Sequence, residues 1–197
     1  KLNCKQYAAL LEARTRSRKR GRTQAGQAAD KLATRKCGDV EASLIDPGNG
    51  GDTHFMYVAG VLLNMHEHMQ EGARIHWWLG LEALARLHKG DGGLELKAAL
   101  EGRGTRTVIV HTLPSTFDRD EYNSLMRGPE FWQAFCAHKV LVMEVDSIIC
   151  AGSPHKLSGF MHLDYVGSQT HWMPQGNGGF ALLDRKRALD CVVRPEK

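Results

Sequence analysis

The sequence predicts an α/β fold in which a mostly parallel sheet is flanked by helices. The run from Lys139 to Val145 is dominated by Val, Leu and Met. Such a run is typical of a strand buried on both faces, as strands are in parallel sheets that helices cover. Strand-like and helix-like segments also alternate along the chain with short connections, which is the order that right-handed crossovers produce. The 197 residues are 42% hydrophobic and 24% charged, as is ordinary for a soluble domain.

Short runs of branched apolar residues predict the strands of this sheet. These runs are residues 40–45, 74–79, 106–111, 139–145, 164–167 and 180–183. Residues 46–52 are rich in Gly, Asp and Asn and are expected to form a loop after the first strand. The glycine-rich residues 176–179 are expected to form a hinge that leads into the last strand.

Apolar residues at helical spacing predict the helices between these strands. The expected helices are residues 54–69, 81–88, 94–100, 120–127, 129–138, 157–161 and 185–193. Thr53 and Asp184 are expected to cap the first and the last of them, because short oxygen-bearing side chains satisfy free N–H groups at helix starts. Pro129 suits the first position of the helix that it opens.

The chain is expected to divide into an extension, residues 1–38, an α/β domain, residues 39–193, and a short tail, residues 194–197. The division follows charge, because residues 1–37 hold eleven Lys or Arg against two acidic residues, a charge of +9, whereas the whole chain carries +4. No window approaches eighteen consecutive apolar residues, so no membrane-spanning helix is expected.

A cluster of six basic residues lies within the nine positions from Arg14 to Arg22. Three interpretations stay open for this arm: a solvated tail, a contact with the phosphates of a nucleic acid, and a contact with an acidic membrane or protein surface. No aromatic residue is interleaved with the charges, so a contact with RNA would be made to its backbone.

Five cysteines are present, and none forms a C-x-x-C pair. They are Cys4, Cys37, Cys136, Cys150 and Cys191. We expect them to be reduced, with Cys136 and Cys150 as small buried hydrophobes in apolar surroundings. Pairing of widely spaced cysteines in an oxidising lumen is the alternative.

Two carboxylates, Glu144 and Asp146, follow the most hydrophobic strand directly. Side chains of a strand alternate with period two, so an acid-x-acid step is expected to aim both carboxylates at one hard divalent cation. In open parallel sheets ligands bind at the carboxyl ends of strands. His66-Glu67-His68 lacks the i, i+4 spacing of a helical metal site and is expected to lie at the surface.

The order of these segments resembles a known family. An aromatic helix with Pro129-Glu-Phe-Trp132 precedes the acidic strand end, and Asp164-Tyr165-Val-Gly167 and Asn177-Gly178-Gly179 follow it. This order is similar to a family catalogued as a domain of unknown function and regarded as glycosyltransferase-like, with the GT-A nucleotide-sugar fold. The resemblance is specific over residues 106–193, weaker over 40–105 and absent over 1–38.

The resemblance implies a Rossmann-like sheet with a nucleotide-sugar pocket at its carboxyl edge. Asp146 matches the family's strand-end aspartate, which implies a contact with a Mn²⁺ or Mg²⁺ ion and with the donor's diphosphate. Glu144 stands where the family usually has an amide, and with it the motif resembles D-x-D, so Glu144 is a second metal-ligand candidate. Asn177, Gly178 and Gly179 match the family's N-G-G turn and are implied to line the donor pocket.

Three departures from the family pattern count against activity. Asp46-Pro47 replaces a polar Asn-Arg type pair after the first strand, and Gly167-Ser168-Gln169 replaces a Gly-Ala-Pro step. The chain ends at Lys197, where the family continues into an acidic segment, so the domain is expected to be truncated on its acceptor side and no catalytic base is assigned. His171 is a further candidate for contact with the metal or phosphates.

The sequence therefore leaves two alternative functions. The first is metal-assisted transfer of a sugar from a nucleotide-sugar donor to an unidentified acceptor, which would suit a secretory lumen. The second is a non-catalytic GT-A-like subunit of a large assembly, such as a ribonucleoprotein, whose residues 1–37 contact RNA or a neighbouring protein in the cytosol or an organelle. Fold alone does not choose between them.

Overall fold

A computed structural model describes residues 37–46, 51–88, 96, 107–113, 117–170 and 173–193. Residues 37–197 form one compact unit. The basic arm and the tail predicted at 194–197 lie outside the described residues, as do His171 and most of the helix predicted at 94–100.

The described residues form one six-stranded sheet. Its strands are β1 (Val40–Asp46), β2 (Arg74–Leu79), β3 (Thr107–Thr112), β4 (Lys139–Met143), β5 (Tyr165–Thr170) and β6 (Met173–Asp184). The spatial order is β3-β2-β1-β4-β6-β5. Strands β3, β2, β1 and β4 are parallel, and β6 is antiparallel to both β4 and β5. The predicted α/β fold with a mostly parallel sheet is thus confirmed.

Helices connect the strands and cover both faces of the sheet. They are α1 (Gly51–His68), α2 (Leu81–Leu87), α3 (Arg119–Arg127), α4 (Pro129–Gln133) and α5 (Arg185–Val193), with a 3₁₀ helix at Leu157–Phe160. One apolar cluster packs α1 and α2 against one face, and a second, aromatic cluster packs α3, α4 and α5 against the other. No described helix is both long enough and apolar enough to cross a membrane.

Two helix boundaries differ from those predicted. Helix α1 begins at Gly51, so Thr53 lies inside its first turn instead of capping it. Helix α4 ends at Gln133, five residues early. The backbone N–H groups of Cys136 and Ala137 donate to the buried carboxylate of Glu41 at 2.7 and 3.1 Å, not to a preceding helical turn. The cap predicted at Asp184 is confirmed by its bond from the Arg187 N–H.

Cys37 and Cys136 form a disulfide, so the expectation that all cysteines are reduced is wrong. The register explains the pairing. Val40 pairs with Lys139 at the start of parallel strands β1 and β4, and the cysteines lie three residues before each of them. Cys150 is exposed, so its predicted burial is also wrong.

A buried cluster joins the first halves of β1 and β2. Glu41 has no exposed surface and lies 3.6 Å from the Arg74 Nε and 3.8 Å from the His76 Nε2. Burial alone would raise the pKa of Glu41, but His76 and the two backbone N–H groups outweigh it and lower the pKa below the ordinary 4.5. Glu41 therefore pairs as a carboxylate inside the fold.

Candidate functional site

The strand order reverses its direction between β1 and β4. The chain runs outward from β1 to β2 and β3, then returns to β4 on the other side of β1. At such a switch point the connections leave in opposite directions and open a gap, which is where open α/β sheets bind ligands. We refer to this gap as the switch-point crevice.

Asp46 and His54 form a hydrogen-bonded pair on the α1 side of the crevice. Asp46 ends β1 and is fully buried, and its Oδ1 lies 2.8 Å from the Nε2 of His54, whose side chain is 24% exposed. The loop brings the first turn of α1 back to the edge that β1 has just reached, so residues eight apart in sequence meet. Because a carboxylate only accepts hydrogen bonds, it holds the proton of a neutral ring on Nε2 and leaves Nδ1 as an acceptor.

Glu144 forms a second cluster at the end of β4. Its backbone N–H donates to the Gly179 carbonyl at 2.8 Å, and the Ser147 hydroxyl donates to the same carbonyl at 3.0 Å. The Tyr122 side chain, on α3, lies near the Glu144 carboxylate, and burial together with that negative charge raises the pKa of Tyr122. Tyr122 therefore stays a hydrogen-bond donor.

Gly179 lies directly against the carboxylate of Glu144. A Cβ at position 179 would lie 2.8 Å from Oε2 of Glu144 and 3.0 Å from its Cδ. Real Cβ atoms do not come so close to another heavy atom, so a side chain here would displace the carboxylate. One glycine of the predicted N-G-G motif is thereby explained by packing against one of the predicted acids.

Asn177, Gly178 and Gly179 lie in β6, so the turn expected for them is wrong. Pairing with β5 carries the strand through this sequence, but the register shifts: Gly167 faces Ala181 and Ser168 faces Asn177. Glycine is common where strand pairing is interrupted in this way. The irregularity lies next to the end of β4, since Phe180 pairs with Met143.

Asp146 differs from Glu144 in its surroundings. The strand ends at Met143, and the chain turns at residues 145–146, so the expected alternation of two acids along one strand is wrong. Asp146 is exposed, whereas Glu144 is half-buried and lies near Tyr122. The turn is closed by the Ser147 N–H, which donates to the Glu144 carbonyl at 3.0 Å.

The acids fit a metal only in part. The described residues contain no group of three or more His, Cys, Asp or Glu side chains that could hold an ion. Glu144 is half-buried, whereas Asp146 is accessible. Mg²⁺ is often held by one or two carboxylates together with substrate phosphates. Asp146 fits that arrangement, and the assignment of Glu144 as a ligand stays a prediction.

The motif His66-Glu67-His68 does not belong to this candidate site. His66 is fully buried in α1, which contradicts its expected surface position, and His68 is half-buried. Residue 66 falls on the core side of the helix because it follows Leu62 by four positions, and Leu62 is also fully buried.

The comparison with known families bears on the second half of the chain. Residues 107–197 match a family described as a protein of unknown function, DUF5672. The match covers just under half of the chain and contains Tyr122, Glu144, Asp146 and Gly179, but not Asp46 or His54. No curated protein matches the chain.

Sequence reasoning missed three residues of the crevice: Asp46 as a buried acid, His54 and Tyr122. A signal existed for the first two, because an acid ending the first strand and a histidine opening the next helix must meet at one edge of a parallel sheet. Tyr122 carries no such signal, since its partner Glu144 lies beyond another helix and a strand.

Proposed function

We propose that the protein is a glycosyltransferase-like enzyme of GT-A type, which binds a nucleotide-sugar donor in the switch-point crevice. The observation that carries the proposal is that an Asp–His pair ends β1 and an accessible aspartate follows the end of the neighbouring parallel strand β4, both at the carboxyl edge of the sheet. Crevices of this kind hold nucleotides in many open α/β sheets. The sequence resemblance over residues 106–193 adds the sugar-transfer chemistry.

Asp146 is the residue to which we assign contact with the donor's diphosphate. A Mg²⁺ or Mn²⁺ ion bound there with the phosphates would neutralise charge on the leaving group. Glu144 would support Asp146 indirectly, since its backbone N–H donates to the Gly179 carbonyl and so fixes the start of the turn that carries Asp146.

His54 is suited to accept a proton. Transfer forms a bond between the acceptor oxygen and the anomeric carbon, breaks the bond from that carbon to the diphosphate, and releases the proton of the acceptor hydroxyl. A histidine oriented by a buried carboxylate can take up such a proton. The partly exposed ring of His54, held at 2.8 Å by Asp46, has this arrangement.

Calorimetry with Mn²⁺ and a panel of nucleoside diphosphates tests the proposal. We expect one of them to bind, and Asp146→Ala to weaken binding by about tenfold or more, about 1.4 kcal/mol. Asp190→Ala removes an exposed carboxylate of α5 and serves as the matched control. If the intact protein binds no nucleotide of the panel, the transferase proposal is wrong.

A second candidate function is a non-catalytic subunit of an assembly, and the charge of residues 1–37 favours it. Eleven basic residues there would bind RNA phosphates with an affinity that falls steeply with salt. Retention on RNA that is lost when residues 1–37 are removed, together with no nucleotide binding, would support this candidate over the enzyme.

A further inference from the structure

A second concave site lies at the opposite end of β1. It is a cavity of about 560 Å³ between the start of β1, the end of α1 and the segment 148–161. We call it the amino-end groove. Its volume falls in the range of about 300–1,000 Å³ that small-molecule sites occupy. It contains none of the candidate crevice residues, so an inference from it does not depend on the proposed transferase function.

The groove is lined mainly by apolar side chains. Val40 and Met69 are almost fully buried within it, at 4% and 1% exposure. Leu157, Phe160 and Met161 line it as well and are partly buried. Methionine side chains adapt their shape to an apolar guest. The lining therefore suits an extended or flexible apolar group.

Several hydrogen bonds fix the walls of the groove. The Asn64 side chain donates to the Ile149 carbonyl at 3.0 Å and accepts from the Ile149 N–H at 2.7 Å, which attaches the 148–161 segment to α1. Further along, the Gly159 N–H donates to the Lys156 carbonyl at 3.0 Å in the 3₁₀ helix. A site whose walls are already ordered loses less entropy when a ligand binds.

The rim of the groove is charged at two places. Lys156 is exposed and lines the groove beside His155, whose ring makes an edge contact with Phe160 at 6.3 Å between centroids. An ammonium group next to an apolar wall favours a ligand with an anionic head. Asp39 also lines the groove, and its negative charge disfavours a second anionic group on the same ligand.

We propose that the amino-end groove binds an amphiphilic monocarboxylate, such as a medium-chain fatty acid. The carboxylate pairs with Lys156 and His155 on the rim, and the chain lies against Phe160, Met161 and Met69. A ligand of this class explains why one lysine borders a groove that is otherwise mainly apolar.

The first test is calorimetric titration of the full chain with dodecanoate, at concentrations below those that form micelles. We expect one molecule to bind, and Lys156→Glu to weaken binding by about tenfold, because the substitution replaces an attractive charge at the rim with a repulsive one. Lys186→Glu makes the same charge change on the exposed surface of α5 and should leave binding unchanged. Dodecanol, which has no charge, should bind more weakly than dodecanoate and be insensitive to Lys156→Glu.

A second readout uses the thiol of Cys150, which is free, exposed and part of the groove lining. Dodecanoate should slow alkylation of Cys150 by iodoacetamide severalfold, whereas Cys191 on α5, also free and exposed, should react at an unchanged rate. If dodecanoate gives no heat of binding and does not slow the alkylation of Cys150, the proposed site is wrong. Equal binding of dodecanol and dodecanoate would overturn the assignment of a carboxylate ligand.

Discussion

Strand β1 carries two fully buried carboxylates, Glu41 and Asp46, and their partners differ. Glu41 accepts two backbone N–H groups and faces the nearly buried side chains of Arg74 and His76. Asp46 is held by His54, a side chain that reaches solvent. A carboxylate enclosed by fixed partners stabilises the fold, whereas one that orients a partly exposed imidazole can act on a ligand. A buried carboxylate therefore has a structural role at one end of β1 and a proposed chemical role at the other.

The largest expected effect is the loss of stability on removing Glu41. Glu41→Ala removes the acceptor of two backbone N–H groups and the buried carboxylate that faces Arg74 and His76, so we expect a cost of about 3–5 kcal/mol in the free energy of unfolding. Urea denaturation at neutral pH measures it. A cost below about 1 kcal/mol, typical of exposed ion pairs, would show that Glu41 does not hold this end of the sheet.

The next effect concerns the crevice. Gly179→Ala forces a Cβ against Glu144, so we expect the free energy of unfolding to fall by about 1–3 kcal/mol, as overpacking does. When Glu144 is replaced by alanine, there is room for the new methyl group at position 179. Gly179→Ala should therefore cost less stability in the Glu144→Ala protein than in the unchanged protein. If the two substitutions are simply additive, the close contact does not determine the glycine.

A smaller loss of stability is expected at Asp46. Asp46→Asn keeps an oxygen that can accept from His54 but removes the charge, so we expect a loss of about 0.5–1.5 kcal/mol. Nitrogen NMR of the imidazole should show a changed tautomer balance at His54, because an amide orients the ring less strictly than a carboxylate does. His138, an exposed histidine beside Asp184, is the internal reference and should not change. An unchanged His54 spectrum would contradict the orienting role of Asp46.

The last effect is absent at neutral pH and comes from His111 on the edge strand β3. Burial, followed by the charge of His76, lowers the pKa of His111 from 6.5 to about 4. The unfolded chain therefore binds this proton first, so the contribution of His111 to stability is complete above pH 6.5 and is lost as the pH falls toward 4. His111→Gln should flatten the fall in unfolding free energy over that window. Parallel curves for the two proteins would exclude the effect.

Much of the fold could be predicted from local pattern. Strand β2 has the bounds expected from its branched and aromatic run, and α5 those expected from Asp184 and the following residues. The limits of α4 and the state of Cys136 could not be predicted, because both depend on neighbours almost 100 residues away, Glu41 and Cys37. Pattern along the chain does not report contacts across the sheet.

The candidate site was predictable to a similar degree. Glu144 and Asp146 were found because they follow a hydrophobic strand. The different surroundings of these two acids could not be predicted, because the turn at residues 145–146 and the position of Tyr122 depend on tertiary structure. Predicting the Asp46–His54 pair would have required knowing how the start of α1 lies against the end of β1.

The central claim is that a nucleotide binds at the carboxyl edge of the sheet, where β1 ends. The most direct test is an NMR titration that follows backbone amide signals across the sheet. Mg²⁺ and each nucleoside diphosphate would be added in turn to the full chain. Binding at the switch-point crevice predicts shift changes at Asp46, His54, Glu144, Asp146 and Gly179, with little change at Glu41 and Arg74. Changes centred on Glu41, or no change with any nucleotide, would contradict the proposal that the carboxyl edge is the binding site.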